Sequence, residues 1–472
     1  MTSQTTHTFD REYDTIVIGA GMSGLGAGIR LAMFDKKVLI LEKHSISGGL
    51  NSYYTRFKRP FDVGLHAMTN FSPRGERKSP LGKLLKQLRI KHEQLNLSEQ
   101  KHSTIVFPDT KLSFTNEFSI LIEEIAQKFP HEIDGFLKLV DEIKNFNEVS
   151  LKNEYQAAKS VVSTYLKSET LIEMIFCPLL IYGSAWEDDM DFSQFVIMFK
   201  SIYLEGFCRP EGGVRTLLNL LLETYEQRGG ELEFKHGVEK ILYDGKKVIG
   251  VQTTKGEKIK ANKVLSSMGA PETYARIDEQ EKKTSAQTGR MTFTETIFIT
   301  DKKPSDFGFH ETIYFYNNRN KYLYRNPQTY YDDQSAVICF PNNFQDDDNP
   351  EGIIRVTFMA DYTHWKKLLS EDRKAYREKK KEMGETAYDV VKKLLPNSWD
   401  AKIECIDTFT PTTIERYTGH FGGTVYGSPD KSRDGTTPYQ NLYLCGTDQG
   451  FLGIVGSLLS GISMANLHVL SQ

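Results

Sequence analysis

Two short segments near the N-terminus, residues 15–18 and 38–41, consist almost entirely of apolar residues. Continuous apolar runs are typical of parallel strands that are buried on both faces of a sheet. A glycine-rich turn and a helix-like segment separate the two runs, so the pattern predicts a strand, a tight turn, a helix and a second strand over residues 14–42. From residue 441 the chain again predicts a strand, a glycine-rich turn and a helix.

The centre of the chain has two different patterns. Apolar residues recur at helical spacing over much of residues 76–204, which predicts a mainly helical insertion. An amphipathic helix and a strand meander with glycine turns at 244–245 and 255–256 follow in residues 205–275. Residues 291–360 are rich in Thr, Phe, Tyr and Ile and predict further strands.

Composition and charge exclude several classes of function. Lysine plus arginine total 59 and aspartate plus glutamate total 62, a near-balance that gives no general attraction for nucleic acid. The five cysteines are widely separated and form no metal-binding pair, so we expect no metal site and a reducing, cytoplasmic compartment. The longest apolar run, around residues 175–182, is shorter than the roughly 20 residues that span a bilayer, so any membrane contact is expected to be peripheral.

The first turn carries a dinucleotide fingerprint, Gly19-x-Gly21-x-x-Gly24. The first glycine permits a tight turn, the second lets the backbone approach a pyrophosphate, and the third lets the helix pack closely on the strand. Glu42, eighteen residues after Gly24, is placed to accept hydrogen bonds from a ribose diol. The turn and the end of the second strand therefore predict a nucleotide site that comprises Gly19, Ala20, Gly21, Met22, Ser23, Gly24, Glu42 and Lys43.

A second glycine pair, Gly48-Gly49, follows directly and precedes the sequence Phe-Asp-Val-Gly-Leu-His at residues 61–66. This arrangement resembles the flavoproteins related to phytoene desaturases, carotenoid isomerases and amine oxidases. The resemblance implies FAD contacts from Gly49, Leu50, Asn51 and Leu65. Relatives usually carry arginine after the glycine pair, so Leu50 leaves one phosphate contact without its usual donor.

The C-terminal motif places Gly446 and Asp448 after a strand and Gly453, Ile454 and Val455 at the start of a helix. A carboxylate at a strand end can bind the ribityl hydroxyls of FAD, and a helix N-terminus can stabilise charge near flavin N1. The spacing of these residues resembles the retinol saturase (all-trans-retinol 13,14-reductase) subgroup. By the same resemblance, the backbone of Val238 contacts the adenine.

The resemblance implies an α/β fold with a glutathione-reductase-like FAD-binding Rossmann domain and a discontinuous α+β substrate domain. We predict an FAD domain from residues 1–75, 205–275 and 405–472. The substrate domain is predicted to comprise the helical insertion 76–204 and a sheet with a helix at 276–404.

We therefore expect an FAD-dependent oxidoreductase that acts on carbon–carbon bonds of an apolar polyene or isoprenoid by saturation, desaturation or isomerisation. NAD(P)H is a candidate transient electron donor. Two alternatives stay open: an amine oxidase-like flavoenzyme, and a lipid-binding protein without catalysis that is similar to Rab GDP-dissociation inhibitors. The sequence leaves the reaction direction and the oligomeric state open.

Three features carry weaker hypotheses. His66 is a candidate proton donor, with shaping of the pocket as the alternative. A tyrosine- and phenylalanine-rich stretch could line a polyene tunnel, although alternating strand spacing favours one face of a packed sheet. A basic run could contact an anionic membrane surface, although interspersed acidic residues favour a solvated helix face. The aromatic residues are Tyr314, Phe315, Tyr316, Tyr322 and Tyr324, and the basic ones are Arg373, Lys374, Arg377, Lys379, Lys380 and Lys381.

Overall fold

The computed structural model describes residues 8–277, 285–345, 349–394 and 401–471. Two large sheets organise these residues. The first contains the N- and C-terminal motifs, and the second lies under a layer of helices.

The strands of the first sheet are β1 (Arg11–Ile18), β2 (Val38–Leu41), β9 (Glu231–Glu233), β10 (Val238–Asp244), β11 (Lys247–Thr253), β12 (Lys258–Ser266) and β18 (Leu442–Leu444). The sheet is mixed, with strand order β10–β11–β12–β1–β2–β9 and with β18 paired to β12. β1, β2, β9, β12 and β18 are parallel, whereas β10 and β11 form an antiparallel extension of β12. The predicted turn at 244–245 joins β10 to β11, and the turn at 255–256 joins β11 to β12.

Three helices cover one face of this sheet in an apolar cluster: α1 (Met22–Ala32), α8 (Val214–Glu226) and α13 (Gly453–Ala465). Gly26 and Gly461 allow α1 and α13 to approach closely. A side chain on Gly26 would overlap the backbone of Leu458, and one on Gly461 would overlap the backbone of Ser23. α2 (Pro80–Leu88) joins the same cluster, and its N-cap Ser79 accepts a hydrogen bond from the Gly82 amide at 3.0 Å. The short helix α9 (Ala270–Tyr274) follows β12.

The strands of the second sheet are β6 (Ser103–Phe107), β7 (Thr110–Phe114), β13 (Thr292–Thr300), β14 (Ile313–Asn317), β15 (Ser335–Cys339), β16 (Gly352–Ala360) and β17 (Ile403–Phe409). Their order is β17–β13–β16–β15–β14–β6–β7. All neighbours are antiparallel except β14 and β6, which are parallel. Two small antiparallel pairs accompany the large sheets: β3 (Tyr53–Arg56) with β4 (Arg59–Asp62), and β5 (Leu97–Glu99) with β8 (Cys208–Pro210).

Helices pack on both faces of the second sheet. One face carries the helical insertion: α3 (Phe118–Lys128), α4 (Ile133–Asn145), α5 (Ala158–Tyr165), α6 (Glu169–Gly183) and α7 (Phe192–Phe199). The other face packs on α10 (Tyr362–Glu371) and α11 (Arg373–Leu394). α12 (Pro411–Thr418) follows β17 and leads back to the first sheet.

The structure departs from the sequence prediction in three places. The insertion 76–204 contains the β6–β7 hairpin, which extends the second sheet through the β14–β6 pairing. β17 begins at Ile403, crosses the predicted boundary at 404/405 and pairs with β13. The predicted C-terminal helix extends over residues 453–470 and is long and apolar enough to cross a membrane. The sequence analysis did not recognise this length and apolar character. Because this helix is 56% buried and packs on α1, it has the character of a core helix.

Candidate functional site

The glycine turn after β1 has the geometry that phosphate binding needs. Gly19 has φ +97°, a conformation that glycine adopts without strain. A side chain on Gly24 would overlap the Gly19 carbonyl oxygen, so this glycine permits the close contact of helix and strand. Gly21 differs from both, since its φ is −72° and a Cβ atom there would meet nothing within 4 Å. The space beside Gly21 is therefore open, and no side chain caps the N-terminus of α1.

Glu42, at the end of β2, is held beside this turn. Its Oε2 accepts the Ala20 amide at 2.8 Å, and its Oε1 accepts the His44 amide at 2.8 Å. Only 8% of the residue is exposed, and that part borders the central cavity. Each carboxylate oxygen has a further lone pair, so the side chain can still accept hydrogen bonds from a sugar hydroxyl.

A cavity of about 660 Å³ runs from the glycine turn to the space between the two sheets. A volume of this order suits a cofactor or a similarly large ligand. Most residues predicted from the N-terminal motifs, and the predicted adenine contact, border it. They are Gly19, Gly21, Met22, Ser23, Glu42, Lys43, Gly49, Leu50, Asn51 and Val238.

The remaining predicted residues lie behind or beside the cavity wall. The Ala20 amide is used by Glu42, and Leu65 is 1% exposed. Asp448 is 1% exposed, and its two oxygens accept the amides of Ala270 at 2.6 Å and Ser428 at 2.8 Å. The carboxylate thus joins two loops, while the neighbouring Thr447 borders the cavity. Five further residues of the predicted site do not border the cavity: Gly24, Gly446, Gly453, Ile454 and Val455.

The start of α13 is nevertheless open. Gly453 is exposed although most of the following helix is buried, and Gly64 in the loop after β4 is exposed as well. A Cβ atom on Gly453 would lie 3.6 Å from Thr69 Oγ1, so the helix start and this loop are neighbours. Ser457, in the second turn of α13, borders the cavity. The helix N-terminus therefore borders free space, as a flavin ring requires.

Sequence analysis missed the far wall of the cavity, which the chain builds from separate segments. Arg56 on β3 forms an ion pair with Asp407 on β17, and Tyr54 Oη donates to the same carboxylate at 2.6 Å. Lys380 on α11 borders the cavity, and burial lowers its pKa. Arg276 donates to the Val238 carbonyl at 2.9 Å. These cations lie along the cavity that Leu50 also borders, at the position after the glycine pair where the sequence analysis expected an arginine.

Two arginines hold the loop after β4. Arg355 on β16 is 2% exposed, forms an ion pair with Glu295 on β13 and donates to the carbonyls of residues 62, 63 and 65 at 2.7–3.1 Å. Arg209 binds the Asp62 carboxylate and the Leu65 carbonyl. The loop that carries His66 is thus fixed between the two sheets through its backbone.

His66 points at the second sheet. Its Nε2 lies 2.9 Å from Thr357 Oγ1 and 3.4 Å from Glu295 Oε1. Burial lowers the pKa of the imidazole, so His66 is neutral at physiological pH. These contacts favour the pocket-shaping interpretation, and a proton-donor role finds no support in the geometry.

The prediction that the tyrosine-rich stretch forms one face of a packed sheet was wrong. Residues 314–316 lie on β14 and face both sides of the second sheet, whereas Tyr322 and Tyr324 lie outside any strand and are buried in the cluster with the helical insertion. Phe315 is fully buried against the helical insertion, while Tyr314 and Tyr316 face the opposite cluster with α10 and α11. Tyr324 Oη donates to the Ser184 carbonyl at 2.7 Å. Residues 314–316 therefore contribute alternately to the apolar clusters on the two faces of the second sheet.

Three of the six residues of the basic run on α11 are paired with acidic residues on the same helix. Lys374, Lys379 and Lys381 form ion pairs with Glu378, Glu382 and Glu385 at 3.9, 2.7 and 3.6 Å. Pairing within the helix is the behaviour of a solvated face.

Within the described residues, one group has side chains close enough to hold a metal ion, formed by Glu233, His236 and Glu257. Arg11 makes ion pairs with both glutamates, at 2.5 and 2.7 Å, and so neutralises the carboxylates that a metal would need.

Comparison with known proteins decides the family. Residues 22–467 match the family described as flavin containing amine oxidoreductase, a span that begins just after Gly21 and includes Glu42, most of the cavity wall and the C-terminal motif. The chain belongs to this family. Its members bind a flavin, and the cofactor of this family member is FAD. The open space beside Gly21 and the position of Glu42 at the cavity are compatible with that cofactor.

Curated relatives of this flavin oxidoreductase extend along nearly the whole chain. A chloroplastic prolycopene isomerase from Daucus carota is 25% identical and covers 97% of this chain and 80% of its own length. An all-trans-retinol 13,14-reductase from Danio rerio is 23% identical with 97% and 87% coverage. A 1-hydroxycarotenoid 3,4-desaturase from a Flavobacterium strain is 23% identical with 89% coverage of each chain.

Solved structures confirm the fold of the family member. An oxidoreductase from Methanosarcina mazei has a TM-score of 0.67 at 17% identity and covers 97% of this chain and 100% of its own. Wild-type putrescine oxidase bound to putrescine has a TM-score of 0.62 at 13% identity, with 98% and 99% coverage. The mixed sheet with α1, α8 and α13 corresponds to the FAD-binding, Rossmann-type part of this fold.

Proposed function

We propose that this FAD-dependent oxidoreductase acts on a carbon–carbon bond of an apolar polyene or isoprenoid-like substrate. The observation that carries the proposal is the set of near full-length relatives, whose names refer to carotenoids and to retinol.

The chain's own residues would bind and orient the cofactor. The amides at the start of α1 would face the pyrophosphate beside Gly21, and Glu42 would accept the adenosine ribose hydroxyls. Lys43, Arg56, Arg276 and Lys380 supply positive charge along the cavity. Asp448 would position the loops around Thr447, and the start of α13 would face the ring. When bound, FAD supplies hydride exchange at N5.

Reduction is the favoured direction, because the C-terminal spacing resembles that of retinol saturases. NAD(P)H would then visit the flavin transiently, or a partner protein would deliver the electrons. Isomerisation without net oxidation and desaturation are the alternative outcomes on the same substrate class.

An anaerobic assay tests the proposal. Chemically reduced holoenzyme is mixed with a conjugated polyene, and flavin reoxidation is followed together with product mass. Reoxidation with a gain of two mass units is the expected result. A product of unchanged mass with a moved double bond indicates an isomerase. A polyene that loses two hydrogens when it is mixed with the oxidised enzyme indicates a desaturase. Turnover of amines with hydrogen peroxide formation, and none of polyenes, would overturn the proposal.

We further propose that the FAD domain is of the glutathione-reductase type, with the substrate domain inserted between its segments. We expect the protein to bind a hydrophobic small molecule and not to bind nucleic acid. The proposed location is cytoplasmic, with peripheral contact to a membrane as the source of an apolar substrate.

A further inference from the structure

Lys380 differs from the other lysines of the basic run on α11 because it has no acidic partner. Lys374, Lys379 and Lys381 each form an ion pair with a glutamate about one turn further along the helix. Lys380 has no aspartate or glutamate three or four residues away on either side. In the part of the chain that the structure describes, its ammonium group forms no ion pair and no hydrogen bond.

The position of Lys380 is also different, since it is half-buried and borders the cofactor cavity. Burial lowers the pKa of its ammonium group, and the nearby positive charge of Arg56 acts in the same direction. A cation is unfavourable in such a place unless an anion accompanies it. Lys380 is therefore a charged group whose counter-ion has to come from elsewhere.

Asp407 is the acidic residue whose charge acts on Lys380, but its two carboxylate oxygens are already bound. Oδ1 accepts hydrogen bonds from the Arg56 guanidinium and from the Thr408 amide, the latter at 2.9 Å. Oδ2 accepts the Tyr54 hydroxyl at 2.6 Å. The side chain of Arg56 is 49% exposed, and its guanidinium keeps donors that Asp407 does not use. Two cations thus share one carboxylate, which leaves excess positive charge at this wall.

The cavity provides room beside these cations. Arg56 and Lys380 both border it, together with Tyr54, Asp407 and Thr408. Lys380 Nζ has no partner and is nevertheless not enclosed, so its ammonium group keeps accessible surface. An anion in the cavity can therefore approach the two side chains without a rearrangement of the fold.

The anions that a cofactor cavity of this kind must admit are the phosphates of dinucleotides, and lysine and arginine are their usual ligands. We propose that Lys380 and Arg56 form an anion-binding subsite that holds a phosphate group of a bound dinucleotide. Two sources have this chemistry. One is FAD, because Leu50 leaves its diphosphate without the expected arginine, and the other is a nicotinamide dinucleotide that visits the flavin.

This inference rests on the proposed placement of dinucleotides in the cavity and not on the polyene substrate. Its outcome is therefore independent of the anaerobic assay, and the variant Gly21→Val tests the placement of the FAD pyrophosphate separately.

Lysine labelling tests whether a dinucleotide covers the subsite and which one it is. The apoprotein, the FAD-loaded protein and the FAD-loaded protein with saturating NADP⁺ are treated with limiting acetic anhydride, and acetylated lysines are quantified by mass spectrometry. We expect Lys380 to be acetylated in the apoprotein and protected by one of the two dinucleotides. Protection by FAD alone assigns the phosphate to the cofactor, and protection only after addition of NADP⁺ assigns it to the nicotinamide dinucleotide. Lys381, which is exposed and paired with Glu385, is the internal control and should be acetylated equally in all three samples.

The variant Lys380→Met tests whether the protecting dinucleotide is held by the charge. We expect its dissociation constant to rise about ten-fold, the loss of one charge-assisted hydrogen bond. Lys380→Arg keeps the charge and should recover most of the affinity. Lys381→Met is the matched control, because it removes a charge from the same helix, and it should bind the dinucleotide as the wild-type protein does. The Lys380→Met apoprotein should melt at the same or a higher temperature, since a half-buried charge without a counter-ion is removed.

Each outcome bears on the inference. Equal acetylation of Lys380 with and without both dinucleotides overturns it, even if Lys380→Met does not fold. Protection of Lys380 with unchanged affinity in Lys380→Met overturns it as well, because the dinucleotide then covers the lysine without binding to it. An equal loss of affinity in Lys381→Met also overturns it, since the overall charge of α11 would then explain the effect.

Discussion

Gly21 and Gly24 lie in one turn, but the structure gives them opposite roles, so the same substitution should separate cofactor binding from folding. Gly21 has an ordinary φ of −72°, and a Cβ atom there enters open space. The substitution loses a favourable N-cap residue but also lowers the entropy of the unfolded chain. We therefore expect Gly21→Ala and Gly21→Val to change the free energy of unfolding of the apoprotein by less than about 1 kcal/mol.

In the proposed binding mode, the FAD pyrophosphate occupies the open space at Gly21. A valine side chain there should weaken FAD binding by more than a hundred-fold, or about 2.7 kcal/mol. In Gly24→Ala the new Cβ atom would lie closer to the Gly19 carbonyl oxygen than the 3.0 Å that real Cβ atoms keep. Overpacking of this kind should destabilise the protein by about 1–3 kcal/mol or more, with little direct effect on the phosphates.

Urea unfolding of the apoproteins and titration with FAD, followed by flavin fluorescence, measure the two quantities separately. Added FAD should raise the unfolding midpoint of the wild-type protein and of folded Gly24→Ala, but not of Gly21→Val. Wild-type FAD affinity in Gly21→Val would refute the placement of the pyrophosphate. An unfolded Gly21→Ala apoprotein would refute the assignment of open space.

Three further substitutions test other parts of the site. Glu42→Ala should raise the dissociation constant of FAD roughly ten- to a hundred-fold, and unchanged affinity would contradict the ribose contact. Arg355→Met should destabilise the fold by about 3–5 kcal/mol because Glu295 is left as an unpaired buried charge; adding Glu295→Gln should recover part of this loss in thermal unfolding. Burial raises the pKa of Glu205 from 4.5 to about 7, so the folded protein retains this proton where the unfolded chain releases it. The free energy of unfolding of the wild-type protein should therefore fall as the pH rises from about 4.5 to 7, by up to about 1.4 kcal/mol per pH unit. Urea unfolding of Glu205→Gln should lack this contribution to the pH dependence.

The sequence predicted the parts of the site that depend on local spacing. Gly19, Gly21 and Gly24 follow a buried strand, and Glu42 ends the next strand, so the order of elements was sufficient to place them. The α1 and α8 helices and the turns at 244–245 and 255–256 were predicted for the same reason.

The parts that were missed depend on tertiary pairing. β6 and β7 are short, and their place is set by β14, about 200 residues later in the chain. The far cavity wall brings Arg56, Lys380 and Asp407 together from three separate segments.

Arg355 and Arg209 bind the loop after β4 largely through main-chain carbonyl groups. Carbonyl groups are the same in every amino acid, so the hold of these arginines does not depend on which side chain occupies position 63, which borders the cavity. Leu65, by contrast, is a buried core residue that packing constrains. A variant library at position 63 should therefore yield folded proteins in which the path of the loop is constant while one side chain at the cavity changes.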